Sequence, residues 1–477
     1  MQSALSGAPS AARALASYAA ALRFDDLPAV VVRRAKDCFV DTIGAAVYGH
    51  DTAAGQAALR YVADAAADAT PGPCAVIGSA RRIAPEAAAF AGGVLAHAAE
   101  LDSLRQPGAG VHPGAALVPA ALAAAQSAST SAVTGRDLLT ALVAGIEVMF
   151  RIGAATKHSA EARGFHAPGL TGPFGAAIVA GRLAGLDADA LCRALGIAGS
   201  LAGGLLEFAK AGDGGLVKRV HLGRAAQAGI AAVRLVQAGF DGPSSVLEGR
   251  YGFLHAYCAS PDEAALTAAL DGSHYETPTL CIKRYACHIV AHTPVHAIGR
   301  LRAAHALDAN RISSIRVEGA ARLAANHDLK APGNLVLAQY SVPYCVAAAL
   351  LHDAEDPQAF SAALLDDPRV RALAQRVEVV SNDAAGLATV TTIALDDGTT
   401  LAQPQADFPG CPSAPLTRGQ LRDKFLRMTQ RRLGDAASPL FERLDALEEE
   451  PGLRWLDAAP DHHTEALADL PAHGGNR

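Results

Sequence analysis

The stretch Asp26-Leu-Pro-Ala-Val-Val-Val-Arg-Arg-Ala-Lys-Asp-Cys-Phe-Val-Asp-Thr-Ile-Gly-Ala-Ala-Val-Tyr-Gly49 decides the fold class. Val31, Ala35, Cys38, Phe39, Thr42, Ile43 and Ala46 recur along it at helical spacing. Asp26 can cap the start, Pro28 sits near the first turn and Gly49 can close the end. Similar patterns return at Pro85–His97, Leu117–Gln126, Gly135–Arg151, Gly172–Ala184, Ala188–Leu201 and Gly223–Ala238. Turn signals such as Gly185-Leu-Asp-Ala and Gly239-Phe-Asp-Gly-Pro separate them. Alanine dominates many of these segments, and it loses no side-chain entropy on entering a helix. Residues 1–269 therefore read as an all-helical domain.

Near residue 270 the texture changes. Ile312–Glu318 and Val377–Val380 are short and rich in β-branched residues, and Thr389–Leu395 and Thr399–Gln403 flank a hairpin signal, Asp397-Gly398. Helical stretches at Ile289–His305 and Val342–His352 lie among them, so residues 270–405 read as a smaller α+β domain. Thr417–Leu433 and Pro439–Glu448 are helical again; residues 406–460 are expected to pack back onto the first domain, and 461–477 to form a flexible tail.

Composition narrows the function. The 477 residues are 51% hydrophobic and 18% charged, which argues against a disordered chain. Net charge is -6 and the basic residues are dispersed, so no nucleic-acid partner is expected; Arg81-Arg82 and Arg431-Arg432 read as solvated helix ends. The eight cysteines include no Cys-x-x-Cys, and those in apolar runs, such as Cys38 and Cys345, read as small buried hydrophobes in a reducing cytoplasm. Met1–Leu22 faintly resembles an organelle transit peptide, but the reading adopted is a first helix. The alanine run Ala115–Ala125 is too short to span a bilayer, and no membrane partner is expected.

The chain lacks a P-loop, a Gly-x-Ser-x-Gly elbow and a dinucleotide-binding Gly-x-Gly-x-x-Gly. His292 and His296 have metal-ligand spacing, yet no acid follows His292, and they read as structural. Four polar clusters remain in apolar, glycine-rich surroundings: His97-Ala-Ala-Glu100-Leu-Asp102-Ser103 with His112-Pro-Gly114; Arg163-Gly-Phe-His166-Ala-Pro-Gly169; Lys218-Arg-Val-His221-Leu-Gly223; and Cys281-Ile-Lys283-Arg-Tyr-Ala-Cys-His288. Each places a cation or imidazole beside glycine or proline near a helix start, where free N–H groups favour anions. Such ends converging would suit a substrate with two or three carboxylates.

These clusters, with Asp41-Thr-Ile-Gly-Ala, Gly145-Ile-Glu-Val and Gly239-Phe-Asp-Gly-Pro followed by Leu247-Glu-Gly-Arg-Tyr-Gly-Phe253, resemble the MmgE/PrpD family, collinearly over roughly residues 10–430. The resemblance implies a mainly α fold: a large all-helical domain plus a smaller α+β lid domain, usually dimeric. It implies a site between the two that needs no iron–sulfur cluster, so neither cofactor nor metal is expected. The family includes 2-methylcitrate dehydratase, cis-aconitate decarboxylase and iminodisuccinate epimerase. By similarity to the decarboxylase, the site residues carry over to Glu100, His112, His166, Lys218, Lys283 and His288. Asp102 and His221 join Lys218, Lys283 and His166 as substrate-binding candidates, His221 from behind the others. This chain departs from the family's acidic run at Ser103, and the family's site tyrosine has no counterpart at Ala325-Asn-His-Asp328.

The chemistry that the resemblance implies forms or quenches negative charge on a carbon beside a carboxylate. Lys218 and Lys283 are the candidates for holding carboxylates and stabilising that charge, and His112 for general acid/base work. His166 and His288 could protonate a leaving hydroxyl or hold a second carboxylate, and Glu100 could orient His112. Dehydration of a small polycarboxylate by a cytoplasmic homodimer is the leading expectation. Decarboxylation or epimerisation on the same scaffold is the alternative, and a non-catalytic carboxylate-binding protein the reading from another class.

Overall fold

A computed structural model describes residues 9–64, 71–108, 110–128, 132–382 and 384–453; the tail expected at 461–477 lies outside them. The first domain is built from helices α1 (Ala11–Ala21), α2 (Ala29–Gly49), α3 (Ala53–Asp64), α4 (Pro85–His97), α5 (Pro113–Ser127), α6 (Gly135–Thr156), α7 (Ala167–Leu183), α8 (Ala188–Ser200), α9 (Val217–Gln237) and α10 (Phe253–Tyr257). The sequence pattern locates α4 at both ends. Helices α7 and α9 start earlier than their periodic stretches do. Pro168 is tolerated in the first turn of α7, and the polar Lys218-Arg219 opening of α9 hides its start.

The ends of α2 differ from what its sequence suggests. Pro28 occupies the N-cap, while Asp26 closes a short 3-10 turn at Phe24–Asp26 and makes no side-chain cap. Gly49 does not end the helix by a left-handed turn. A Cβ there would lie 2.2 Å from the carbonyl oxygen of Leu95, so glycine is required by contact with α4. Helix α6 begins in a capping box, in which Thr134 and Asp137 satisfy each other's backbone N–H groups. It is the one described helix long and apolar enough to cross a membrane, and 94% of its apolar window is buried inside the protein. Arg431-Arg432 does end a helix; Arg82 instead enters a two-residue strand, β2 (Arg82–Ile83), paired with β1 (Cys74–Ala75).

A second short ribbon, β3 (Leu104–Arg105) against β4 (Leu280–Cys281), ties the segment after α4 to the chain entering the second domain. That domain carries a four-stranded sheet of β5 (Ile312–Gly319), β6 (Val377–Ser381), β7 (Thr389–Leu395) and β8 (Thr400–Gln405). Its order is β6-β5-β7-β8, parallel between β5 and β6 and antiparallel elsewhere. Gly398 supplies the left-handed residue of the β7–β8 turn at φ 84°. Ile312, Ile315 and Val317 are buried along β5, giving one face to the core. The helices of this domain are α11 (His292–Ala304), α12 (Ala321–His327), α13 (Leu335–Tyr340), α14 (Val342–Leu351), α15 (Ala362–Leu365) and α16 (Pro368–Gln375). Finally α17 (Arg418–Leu433) and α18 (Ala437–Asp445) return to the first domain, placing Phe425 and Phe441 in the core that holds Phe39 and Phe150. Arg418 adds an ion pair to Asp37 at 3.1 Å. All eight cysteines are free and buried.

Candidate active site

Helices α4 and α9 cross backbone to backbone. A Cβ on Gly93 would lie 2.8 Å from the Cα of Gly223, and one on Gly223 would lie 2.6 Å from the carbonyl oxygen of Phe90. This contact brings the C-terminal end of α4, at His97, to the N-terminal turn of α9, which carries Lys218 and Arg219. Beyond α4, Glu100 adopts a left-handed backbone, φ 60°, a conformation that costs a non-glycine residue on the order of 1–2 kcal/mol. Its side chain thereby turns into the crossing. The β3–β4 ribbon then delivers Lys283, on the segment that leads into the second domain.

Glu100 is the hub of this arrangement. Its Oε2 accepts from both Lys218 Nζ and Arg219, and its Oε1 accepts from Lys283 Nζ at 2.9 Å. Glu100, Lys218 and Lys283 are each only 1% exposed. Burial pushes the Glu100 carboxyl up, but the three cations outweigh it and hold the group well below the usual carboxylate range. Burial pulls the Lys218 ammonium down to about 7, against the opposing pull of Glu100.

The expected pairing of Glu100 with His112 is not found. Asp102 holds His112 instead, its Oδ2 meeting His112 Nδ1 at 2.8 Å while its Oδ1 meets His97 Nδ1 at 2.8 Å. An ionised carboxylate only accepts, so both imidazoles donate from Nδ1. Burial raises the Asp102 pKa, and the two imidazoles facing it outweigh that and keep it well below the normal value. Burial holds His97 neutral, at about 3, and leaves its Nε2 without a partner. Asp102 is thus enclosed by the two rings rather than free to receive a substrate.

His166 and His221 meet through their Nδ1 atoms at 2.9 Å, with Phe208 edge-on to both rings. Burial, then Lys218 and His221, push His166 well below the usual imidazole range. His288 stacks on His327 with centroids 4.8 Å apart and lies tilted against Tyr340 at 4.4 Å. Lys218 Nζ lies 4.6 Å from the centroid of the Tyr340 ring, and Phe208 stands edge-on to that ring with centroids 6.4 Å apart. All the site residues named from the sequence therefore lie in one connected cluster. His97, Arg219, Gln339, Tyr340 and His327 belong to it as well, although the sequence alone gives them no role. A tyrosine does enter the site, from the end of α13 rather than from the segment around His327.

Gln339 is 1% exposed and joins the pieces. It accepts from Arg219 at 2.7 Å, donates to the carbonyls of Ala99 at 3.2 Å and Ala286 at 3.0 Å, and its backbone oxygen accepts from the His288 N–H at 2.8 Å. Arg219 and Gln339 also line a cleft of about 680 Å³ bounded by Tyr48, the Gly212–Leu216 turn and Phe360, which meets the cluster at these two side chains.

His97, Asp102 and His112 are a group among the described residues whose donor atoms come close enough, within 4.8 Å, to consider for a metal. Their 2.8 Å N···O separations are those of hydrogen bonds, and both Nδ1 atoms are spent on Asp102, so the trio fits a hydrogen-bonded array better than a ligand set. His292 and His296 are structural: His292 Nε2 accepts from the Tyr285 N–H at 3.3 Å, and His296 Nδ1 lies 2.9 Å from the Tyr285 hydroxyl.

Comparison with known proteins agrees with this architecture. The MmgE/PrpD N-terminal domain matches residues 13–265 and the MmgE/PrpD C-terminal domain residues 285–447. The chain belongs to the MmgE/PrpD family. It is 34% identical to a cis-aconitate decarboxylase of Aspergillus terreus over 328 residues, 66% of this chain and 65% of that protein. It is 27% identical to the Homo sapiens cis-aconitate decarboxylase over 440 residues, 88% of each chain. The aligned part thus spans somewhat less than two thirds of the fungal relative and most of the human one.

Proposed function

We propose that the chain is a cofactor-independent lyase that removes CO2 from a small unsaturated polycarboxylate of the cis-aconitate kind. The observation that carries this is the convergence of Lys218, Arg219 and Lys283 on Glu100, beside the His97–Asp102–His112 array. Dehydration, the leading expectation from sequence, gives way to its alternative, because the relatives named above are cis-aconitate decarboxylases.

The buried charges count three cations against two carboxylates, so the site is electropositive before a substrate arrives. A substrate carboxylate takes up the donors of Lys218 and Lys283 left free by Glu100. When the C–C bond to the departing carboxylate breaks, CO2 leaves and the electron pair passes to the carbon framework conjugated with a remaining carboxylate. The lysines stabilise that charge as it develops, in a site closed to water. One proton must then be added to carbon. His112, whose Nδ1–H is held by Asp102, delivers it from Nε2 in the doubly protonated form and takes a proton back from solvent before the next turnover. A homodimer belongs to the same reading; Leu201, Leu205, Leu216 and Val217 give the first domain exposed apolar surface for it.

The test is incubation of the purified protein with cis-aconitate, hydroxy tricarboxylates and amino dicarboxylates, followed by proton NMR. Loss of one carboxylate from cis-aconitate is expected. Water loss from a hydroxy acid, or binding without turnover, would overturn the decarboxylase reading.

A further inference from the structure

Gln339 lies on the short helix α13, outside every motif that points to the site, yet its contacts reach the three segments that carry Glu100, Lys218 and Lys283. The orientation of its amide is fixed. Its Nε2 faces two carbonyl oxygens, of Ala99 and Ala286, which can only accept. Its Oε1 must therefore face Arg219, and accepts from it at 2.7 Å. Ala99 precedes Glu100, Ala286 sits in the Lys283–His288 loop, and Arg219 follows Lys218. The next residue, Tyr340, covers the Lys218 ammonium.

Arg219 is divided between two partners, the neutral amide of Gln339 and Oε2 of Glu100. Lys218 shares that same Oε2, whereas Lys283 uses Oε1. Whatever draws Arg219 away from Glu100 leaves more of the carboxylate to Lys218, and whatever releases Arg219 toward Glu100 leaves less.

We propose that Gln339 is a positioning residue which, by holding Arg219 with a neutral acceptor, fixes how Glu100 divides its charge between Lys218 and its neighbours. The inference rests on the proposed function, in which Lys218 must be charged to hold a substrate carboxylate. The groups facing Lys218 are Glu100, Arg219 and Lys283, with His97, His166, His221, His288 and the Tyr340 ring around them. Burial already brings Lys218 to about 7, where a modest change in its surroundings alters its charge at working pH.

Two substitutions move this balance in opposite directions. In Gln339→Met, Arg219 loses its neutral acceptor and turns fully to Glu100, so the Lys218 titration midpoint moves down. In Gln339→Glu, the new carboxylate draws Arg219 and adds negative charge, so the midpoint moves up. The measurement is 15N NMR titration of lysine Nζ in the full-length protein, with Lys218→Met assigning the signal; it needs no turnover. In kinetics with cis-aconitate, Gln339→Met should raise KM by ~10-fold at neutral pH, an effect typical of outer partners of a site, and change kcat less. The alkaline limb of kcat/KM should follow the Lys218 midpoint. A purely packing role would lower the melting temperature without moving that midpoint. Shifts of the same sign in both variants, or no shift in whichever folds, would overturn the inference. Inert wild-type protein with opposite Lys218 shifts would instead count against the lyase reading alone.

Discussion

Lys283 Nζ lies 2.9 Å from Glu100 Oε1, a contact between positions 183 residues apart that ties the segment entering the second domain to the first domain at the centre of the site. Both groups are buried, so the pair cannot be treated as a surface ion pair. Lys283→Ala leaves Glu100 with fewer cations and removes a candidate carboxylate-binding group. We expect most turnover to be lost and stability to fall by about 3–5 kcal/mol, as for other broken buried pairs. Thermal melts of the single variants and of Glu100→Gln/Lys283→Ala check this: the double variant should be less destabilised than the sum of the singles. Strict additivity would show that the two groups do not act on each other.

Asp102 rather than Glu100 holds His112. Asp102→Asn replaces an acceptor for two N–H groups with an amide that must also donate, so His112 loses its fixed tautomer. The expected result is a fall in kcat of ~100-fold or more with KM changed less, in the range general acid–base catalysis supplies. Steady-state kinetics on folded protein decide it; an unchanged kcat would remove His112 from the proton transfer.

That reassignment marks where the sequence stops being legible. Glu100 and Asp102 are two positions apart on an irregular turn, and only the left-handed backbone at Glu100 sends one acid to the lysines and the other to the imidazoles. No spacing rule contains that information. The long helices of the first domain are legible because a periodic apolar face declares itself over many residues, as in α2 and α6. Strand β7 and its turn are legible for the same reason, through β-branched alternation and Asp397-Gly398. Helices α12, α13 and α16 are not, since none exceeds eight residues and each is held by tertiary contacts. Gln339 and Tyr340 are hidden with them. Arg219 stands in view inside a recognised motif, where its neighbour Lys218 draws the assignment.

Stability should fall as the medium is acidified below neutral. Burial holds His50 at about 4, His97 at about 3 and His327 at about 4, against an ordinary 6.5. Between those values and 6.5 the unfolded chain binds more protons than the folded one, so stability is lost as pH drops through that window. Glu100 and Asp102, both depressed, act in the same direction lower down. Melting temperatures at pH 7.5 and pH 5 test this, and His50→Gln, remote from the site, should weaken the dependence because glutamine does not titrate.

Activity should survive EDTA and exhaustive dialysis. Among the described residues the candidate donor group His97–Asp102–His112 is organised by hydrogen bonds at 2.8 Å. Loss of activity that returns only with a particular metal would require those three side chains to rearrange around an ion.

The lyase chemistry and the role of His112 are tested most directly by turnover of carboxyl-13C-labelled cis-aconitate in D2O, followed by NMR with the wild-type enzyme and His112→Ala. We predict one labelled CO2 and one deuteron fixed on product carbon per turnover, with both nearly abolished in folded His112→Ala while the substrate still binds. Product formed without CO2 release, or deuteration undiminished in His112→Ala, would contradict this mechanism.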